Sequence, residues 1–283
     1  MKKTLEPQNT FEGWYFKHQS ATDTLALIPG RSKDMAFVQV ITDTASYNVM
    51  YDLSLYRREP TVVRVGGSGF SLRRIRLDIQ GKGIQLSGEI TYRRRTPPQG
   101  DIMGPFRLLP MECRHGLCSL HHELSGSVIL NHREIDFTGG AGYIEKDSGR
   151  SFPRRYVWVQ STDFPVKCCV TLAVAEIPLA GFRFRGVICA VWYDGMEYRL
   201  ATYNGARAVV CTRYHIVLQR GKQRLEVKIP EPCANLPLLA PVEGGMGRTI
   251  RESPSCPARF RFFDKGKMLF DMESPRTSME FCQ

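Results

Sequence analysis

An acidic segment near the middle of the chain, Glu145-Lys146-Asp147, carries the residues best suited to proton chemistry. If the segment is an extended strand, alternation places Glu145 and Asp147 on one side and Lys146 on the other. Two carboxyl groups in a partly dry crevice cannot both ionise cheaply, so one should hold its proton near neutral pH while the other pairs with an arginine such as Arg150. A structural ion-pair network with Lys146, Arg150 and Arg154 is the alternative, because ion pairs also shift pKa values.

Two other segments mix aromatic and ionisable residues in a way that ordinary strands and turns do not. Phe11–Lys17 reads FEGWYFK and supplies Glu12 as a reserve acid. The second segment runs from Ile102 to His122. Proton chemistry also needs a base, and the candidates are His122, Tyr143 or the second carboxylate.

Aromatic side chains near these segments could form the wall of a ligand site. Trp14, Tyr15 and Trp158 are candidates for stabilising positive charge that develops on carbon. Phe106 and Phe152 are further candidates for ligand contact. The alternative is that these rings are simply core residues, since aromatic side chains at strand starts often pack inside a fold.

The composition predicts a basic globular protein. The chain has 283 residues with 39 Lys+Arg against 28 Asp+Glu, a formal charge of +11, and 42% hydrophobic residues. Such a charge favours anionic partners, but no recognition helix or stacking motif accompanies the arginine clusters, which argues against nucleic-acid binding. Peripheral contact with an anionic membrane fits better. The lysine-led N-terminus lacks an apolar stretch, so neither a signal peptide nor a membrane span is expected.

The nine cysteines include no Cys-x-x-Cys pair. This predicts a reduced, cytoplasmic chain without a disulfide framework. A zinc site is a weaker alternative, because soft and imidazole ligands crowd into ten residues without the paired spacing of structural zinc motifs. Those ligands are Cys113, His115, Cys118, His121 and His122. We expect no metal.

Hydrophobic residues recur at every second position along most of the chain, and this period of two predicts antiparallel hairpins. One hairpin turns at Gly81-Lys82-Gly83, another at Asn131-His132 and a third at Asp194-Gly195. Short helical turns are possible only near residues 117–123 or at the C-terminus. Pro230 to Gly247, with four prolines, is expected to be a long loop.

Many successive strands need closure into barrels or sandwiches, because open sheet edges invite pairing with other chains. The length suits two units of about 140 residues. A stretch rich in glycine and charge precedes Tyr156, where alternation restarts. We therefore predict an all-β fold with one domain over residues 1–150 and a second over residues 151–283.

Three motifs resemble the tocopherol cyclase family. FEGWYFK at Phe11–Lys17 matches the family's N-terminal motif, and Met111-Glu112-Cys113 with His115, Ser119 and His122 resembles its MEC-x-H segment. The segment from Gly142 to Pro153 is similar to the family's GYIEKDWGxSFP, except that Ser148 stands where the family usually has Trp. The likeness runs from residue 11 to about residue 281.

The resemblance implies two lipocalin-like β-barrels, distantly like carotenoid hydratases, and an isomerase activity. The reaction would be acid-catalysed ring closure of a prenylated hydroquinone, or a related long apolar lipid, to a chromanol-type product. Protonating the alkene needs a carboxylic acid kept neutral by a dry site. No metal, nucleotide or flavin cofactor is expected. The alternative is a non-catalytic carrier that binds a lipid or other hydrophobic small molecule inside a barrel.

Overall fold

The computed structural model describes residues 10–179, 181–230 and 233–283. These residues form antiparallel strands and contain no α-helix. The three helical segments are short 3-10 turns at Leu53–Leu55, Gly104–Leu108 and Thr202–Asn204. The prediction of an all-β fold is therefore confirmed.

The strands before residue 150 belong to one twelve-stranded sheet. They are β1 (Phe11–Gln19), β2 (Thr24–Arg31), β3 (Ala36–Thr42), β4 (Ser46–Tyr51), β5 (Tyr56–Arg58), β6 (Val62–Val65), β7 (Ser68–Ser71), β8 (Arg74–Gly81), β9 (Ile84–Thr96), β10 (Cys113–Leu130), β11 (Arg133–Asp136) and β12 (Ala141–Gly149). Their order is β4-β3-β2-β1-β12-β10-β9-β8-β7-β6-β5, and β11 pairs with β10. Because β4 contacts β8 and β3 contacts β6, the sheet curls around a core.

The strands after residue 155 form a second, ten-stranded sheet. They are β13 (Tyr156–Ser161), β14 (Cys168–Leu179), β15 (Phe182–Tyr193), β16 (Met196–Arg199), β17 (Arg207–Cys211), β18 (His215–Arg220), β19 (Gln223–Lys228), β20 (Leu236–Val242), β21 (Gly245–Asp264) and β22 (Lys267–Cys282). Their order is β16-β15-β14-β13-β22-β21-β19-β18-β17, with β20 paired to β21. Contacts between β15 and β17 curl this sheet as well.

The alternation of apolar and polar residues along the strands explains why one face of each sheet is buried. In β8, Ile75 and Ile79 are buried while Arg74 and Arg76 are exposed, as the sequence predicts. The three predicted hairpins form as β8–β9, β10–β11 and β15–β16. Each sheet encloses its own apolar cluster, and a third cluster lies where the sheets meet, with Tyr143 of the first sheet and Trp158 of the second.

Two local expectations are wrong. Residues 117–123 and the C-terminus are not helical, because they lie in the long strands β10 and β22. Most of the described part of the expected 230–247 loop is strand: β20 contains Pro237 and Pro241 and pairs only with β21. Proline lacks a backbone donor, and an edge strand of this kind tolerates it.

A disulfide joins Cys233 to Cys256, with Cα atoms 5.5 Å apart. The sequence predicts reduced cysteines without a disulfide framework, and this pair is an exception to the reduced state. The β20–β21 hairpin explains the contact: Leu236 lies opposite Glu252, so three residues earlier Cys233 falls beside Ser255 and its neighbour Cys256. This proximity comes from strand pairing and leaves no spacing motif in the sequence.

Thiol titration in denaturant should count seven reactive cysteines before reduction and nine after it. The difference measures the Cys233–Cys256 pair, because a disulfide does not react with a thiol reagent. Equal counts before and after reduction would show that the two cysteines are unpaired in the purified protein.

Candidate functional site

A cavity opens between the two sheets, with walls from both of them. Tyr15 of β1 and Glu145 of β12 face Trp158 of β13 and Glu280 of β22 across it. Its volume is about 170 Å³, close to that of an engineered cavity of about 150 Å³ that binds benzene. The enclosed part is therefore the size of a single ring.

Glu145 is the most heavily bonded acid in the cavity, and it is 4% exposed. Its Oε2 accepts hydrogen bonds from the Tyr143 hydroxyl at 2.5 Å and from Trp158 Nε1 at 3.2 Å. Tyr143 also lies 3.1 Å from Thr171 Oγ1, so the second sheet helps to hold its hydroxyl. These donors fix the carboxyl group in one orientation.

His115 lies between the two acids of the acidic segment. Its Nδ1 is 2.9 Å from Asp147 Oδ1, and its Nε2 is 3.6 Å from Glu145 Oε2. Strand pairing causes this arrangement, because His115 of β10 lies directly opposite Asp147 of β12. The predicted alternation of residues 145 and 147 is confirmed, but Asp147 pairs with His115 rather than with Arg150.

Burial and neighbouring charges raise the pKa values of both Glu145 and His115. Burial raises the pKa of Glu145 to about 7, although His115 opposes the shift. Burial disfavours the charged imidazole of His115, but the facing carboxylates of Asp147 and Glu145 outweigh it and raise its pKa to about 9. Near neutral pH the site therefore contains a partly protonated acid beside a cationic imidazole.

A second acid, Glu280, lines the cavity from the opposite sheet. Its Oε2 accepts a hydrogen bond from the hydroxyl of Tyr156. Burial raises the pKa of Glu280 well above its usual value, and the nearby Glu252 adds to the shift. Burial therefore favours the protonated form of Glu280 as well.

A buried polar network lies behind the cavity. Tyr15 donates to Glu252 Oε1 at 2.7 Å, and Lys17 Nζ donates to Gln160 Oε1 at 2.9 Å. Lys17 is 0% exposed, and burial lowers its pKa to about 7. Burial raises the pKa of Glu252 to about 7, while Tyr15 and Lys17 oppose that shift. The network joins the two sheets through β1.

The structure brings most of the predicted site residues together. All five predicted ligand-contact residues border the cavity, and so do two of the predicted acids, but the ring of Trp14 packs on Phe16 on the other face of β1. The residues that border it are Trp14, Tyr15, Phe106, Phe152, Trp158, Glu145 and Asp147. Tyr143 lies directly behind them and donates to Glu145.

Glu12, the reserve acid, lies on the other face of the first sheet and does not line this cavity. Its carboxylate pairs with Lys146 and, at 2.9 Å, with Arg58 Nη1. The hydroxyl of Tyr56 donates to it at 3.1 Å. Lys146 also lies over the Trp14 ring, 4.9 Å from its centroid. Glu12 therefore belongs to an ion-pair cluster.

His122 also lies away from the cavity, inside the first sheet. Its Nδ1 is 3.0 Å from Ser119 Oγ, and its ring packs on Tyr92 with centroids 4.3 Å apart. Burial lowers the pKa of His122 well below its usual value. A Cβ atom on Gly142 would approach His122 Nε2 to 2.2 Å, so this glycine makes room for the ring.

Ser148 faces a second, more polar cavity, about 480 Å³ in volume. Arg114 and Lys146 line it beside Ser148, and it shares only His115 with the first cavity. Ser148, the position that departs from the resembled motif, therefore does not line the first cavity.

The crowded cysteines and histidines do not gather into a zinc site among the described residues. The group with metal-ligand geometry there is His115, Glu145 and Asp147, whose ligand atoms lie within 4.8 Å of one another. These atoms already have direct partners: His115 bonds Asp147, and Glu145 accepts from Tyr143 and Trp158. Hydrogen bonding alone accounts for their arrangement.

Sequence reasoning missed the importance of His115, Glu280 and Lys17. His115 was visible only as part of a motif, since its partners depend on the pairing of β10 with β12. Glu280 comes from the last strand, more than a hundred residues from Trp158, its cross-strand neighbour. Lys17 carries a weak signal, because it alternates with the apolar residues of a buried strand.

No protein-family model and no curated protein matches the sequence. Several solved structures share the fold. A putative AttH from Nitrosomonas europaea is 12% identical, with a TM-score of 0.58 over 99% of this chain and 96% of that one. Kievitone hydratase from Nectria haematococca is 10% identical, with a TM-score of 0.58 over 98% and 91% of the two chains. CghA, solved with Sch210972, is 10% identical, with a TM-score of 0.62 over 97% and 88%.

These likenesses span nearly the whole of each chain and establish the fold. They confirm the predicted architecture of two lipocalin-like antiparallel units. In the described part of this chain, no helix is long and apolar enough to cross a bilayer.

Proposed function

We propose that the protein is an isomerase that closes a ring on a prenylated hydroquinone or a related phenol-headed lipid. The observation that carries the proposal is Glu145, a buried acid that titrates near neutral pH in an aromatic-walled cavity of ring size. The motif resemblance to tocopherol cyclases supports the same reaction. The comparison with kievitone hydratase adds chemical support, because hydration of an alkene also begins with its protonation.

Glu145 is the proton donor in this reaction. Its proton forms a new C–H bond as the alkene π bond breaks, which leaves a tertiary cation. The faces of Trp158 and Tyr15, whose centroids lie 5.2 Å apart, would stabilise that charge. The phenol oxygen then attacks the cation and forms the C–O bond.

The proton balance closes at the same residue. After donation, Glu145 is a carboxylate held by Tyr143 and Trp158, and it accepts the proton that the phenol oxygen loses. His115, paired with Asp147, keeps a positive charge beside this carboxylate and stabilises it between the two proton transfers. The reaction consumes no oxidant, reductant or net proton.

Incubating the protein with a prenylated hydroquinone in deuterated water tests the proposal. We expect a chromanol product that carries deuterium on the carbon that Glu145 protonates, as mass spectrometry would show. Recovery of unchanged substrate that copurifies tightly with the protein would instead indicate the carrier function.

The pH profile of turnover should report the titration of Glu145. The donor must be protonated, so kcat/KM should fall by about tenfold per pH unit as the pH rises above about 7. Tyr143→Phe removes a hydrogen bond that stabilises the carboxylate, so it should move this decline to higher pH. Tyr214→Phe, at an exposed tyrosine, is the control. A profile that Tyr143→Phe leaves in place would mean that another group donates the proton.

A further inference from the structure

The two most exposed large apolar side chains among the described residues are Leu108 and Phe182, at 79% and 77%. Leu108 ends the 3-10 turn Gly104–Leu108, and Phe182 begins β15. Both elements also line the cavity, through Phe106 and Phe184. The Phe106 and Phe184 rings lie 5.9 Å apart, so the two elements meet at the cavity, and each exposed side chain is two residues from a phenylalanine that lines it.

Strand geometry explains the exposure of Phe182. Alternation puts Phe182 and Phe184 on the same side of β15. Phe184 is half-buried at the cavity, while Phe182 projects beyond it. Exposed aromatic and aliphatic side chains lose contact with water when they enter a lipid interface, which favours binding.

Basic side chains lie at the same ends of these elements: Arg107 on the 3-10 turn, and Arg183 and Arg185 on the face of β15 opposite to Phe182. Arg107, Arg183 and Arg185 are exposed, and none of them forms an ion pair with another described residue. The nearest acid on the paired strand, Glu176, lies opposite Arg185 but its ion pair is with Arg155. Guanidinium groups without an ion-pair partner can bind the phosphates of an anionic bilayer, and the exposed apolar side chains near them can enter its acyl chains.

We infer that Leu108, Phe182 and the arginines beside them form a docking surface for an anionic phospholipid bilayer. This surface, called the rim below, places the cavity mouth at the membrane, where a long apolar substrate is dissolved. The inference depends on the proposed function in one respect only, namely that the cavity receives a lipid. Docking itself needs no turnover.

Sedimentation with vesicles of phosphatidylcholine, with or without phosphatidylglycerol, tests the rim. We expect the parent to bind the anionic vesicles, and the double variant Leu108→Ser/Phe182→Ser to bind them at least about tenfold more weakly. Arg107→Gln/Arg183→Gln/Arg185→Gln should lose the preference for phosphatidylglycerol. Glu145→Gln should bind like the parent, which separates docking from chemistry.

Matched controls lie elsewhere on the surface. Met196→Ser removes an exposed apolar side chain at the other end of the β14–β15–β16 sheet region, about 36 Å along β15 from Phe182. Arg73→Gln/Arg74→Gln/Arg76→Gln makes the same change in net charge in the first sheet. Both controls should bind vesicles like the parent.

Three results would overturn the inference. The parent could fail to bind anionic vesicles, the control variants could weaken binding as much as the rim variants, or the rim could hold a second copy of the chain. In the third case, Leu108→Ser/Phe182→Ser would dissociate a dimer in gel filtration without vesicles present.

Discussion

Glu145→Gln should lower turnover by about a hundredfold or more while the variant still binds substrate. Glutamine keeps the shape of the side chain, and its amide oxygen can still accept from Tyr143 and Trp158. It cannot donate a proton to an alkene, so the first step of the reaction is lost. Single-turnover product formation and a separate binding titration measure the two effects.

The control for this variant is Glu134→Gln, which makes the same change at an exposed glutamate of β11. A second acid also has to be tested, because Glu280 lines the same cavity and burial raises its pKa as well. If Glu280→Gln abolishes turnover and Glu145→Gln does not, the proton comes from the second sheet. If Glu145→Gln only lowers the melting temperature, the acids of β12 form a structural network.

Lys17→Ala should destabilise the protein by about 2–5 kcal/mol, because it removes a fully buried side chain and leaves a cavity in the network between the sheets. Lys17 also donates to Gln160, so the variant removes a link between the sheets. Chemical denaturation gives the free energy of unfolding. Lys17→Met restores most of the volume without the charge, and it therefore separates the electrostatic loss from the loss of packing.

The pH dependence of this loss has a definite sign. The folded-state pKa of Glu252, about 7, is above its usual value, so the stability gained by its protonation is lost as the pH rises from about 4.5 to about 7. Burial lowers the pKa of Lys17 to about 7, so the cost of its buried ammonium in the parent is relieved as the pH rises above about 7, and a variant without the amine gains nothing from this relief. The gap in melting temperature between parent and variant should therefore be larger at about pH 8 than at about pH 5. Lys82→Met, at an exposed turn, should show no gap.

The β architecture could be predicted because each local signal agreed with the final structure. The alternation of Ile75 and Ile79 with Arg74 and Arg76 specifies a half-buried strand, and Gly81-Lys82-Gly83 specifies the turn after it. The errors arose where the tertiary setting decides the structure. Pro237 is typical of a loop in the sequence. In the structure it lies in β20, which pairs with β21 along one edge only, and an edge strand tolerates proline.

The site was predicted in part for the same reason. Glu145 and Asp147 share a face by simple alternation, which needs no knowledge of other strands. The partner of Asp147 depends on register, because His115 reaches it only through the pairing of β10 with β12. The position of Glu12 was misjudged because FEGWYFK is one strand with two faces: Tyr15 faces the cavity, and Glu12 faces away from it.

Because both sheets contribute walls to one cavity, the two halves of the chain cannot change independently in evolution or in protein engineering. Glu145 and its donor Trp158 belong to different sheets, and so do Tyr15 and Glu252. A chimera that joins either half to the corresponding half of a distant relative would keep one wall of the cavity and mismatch the other. Substitutions that alter specificity should therefore accumulate in pairs across the seam, and the two halves should descend together.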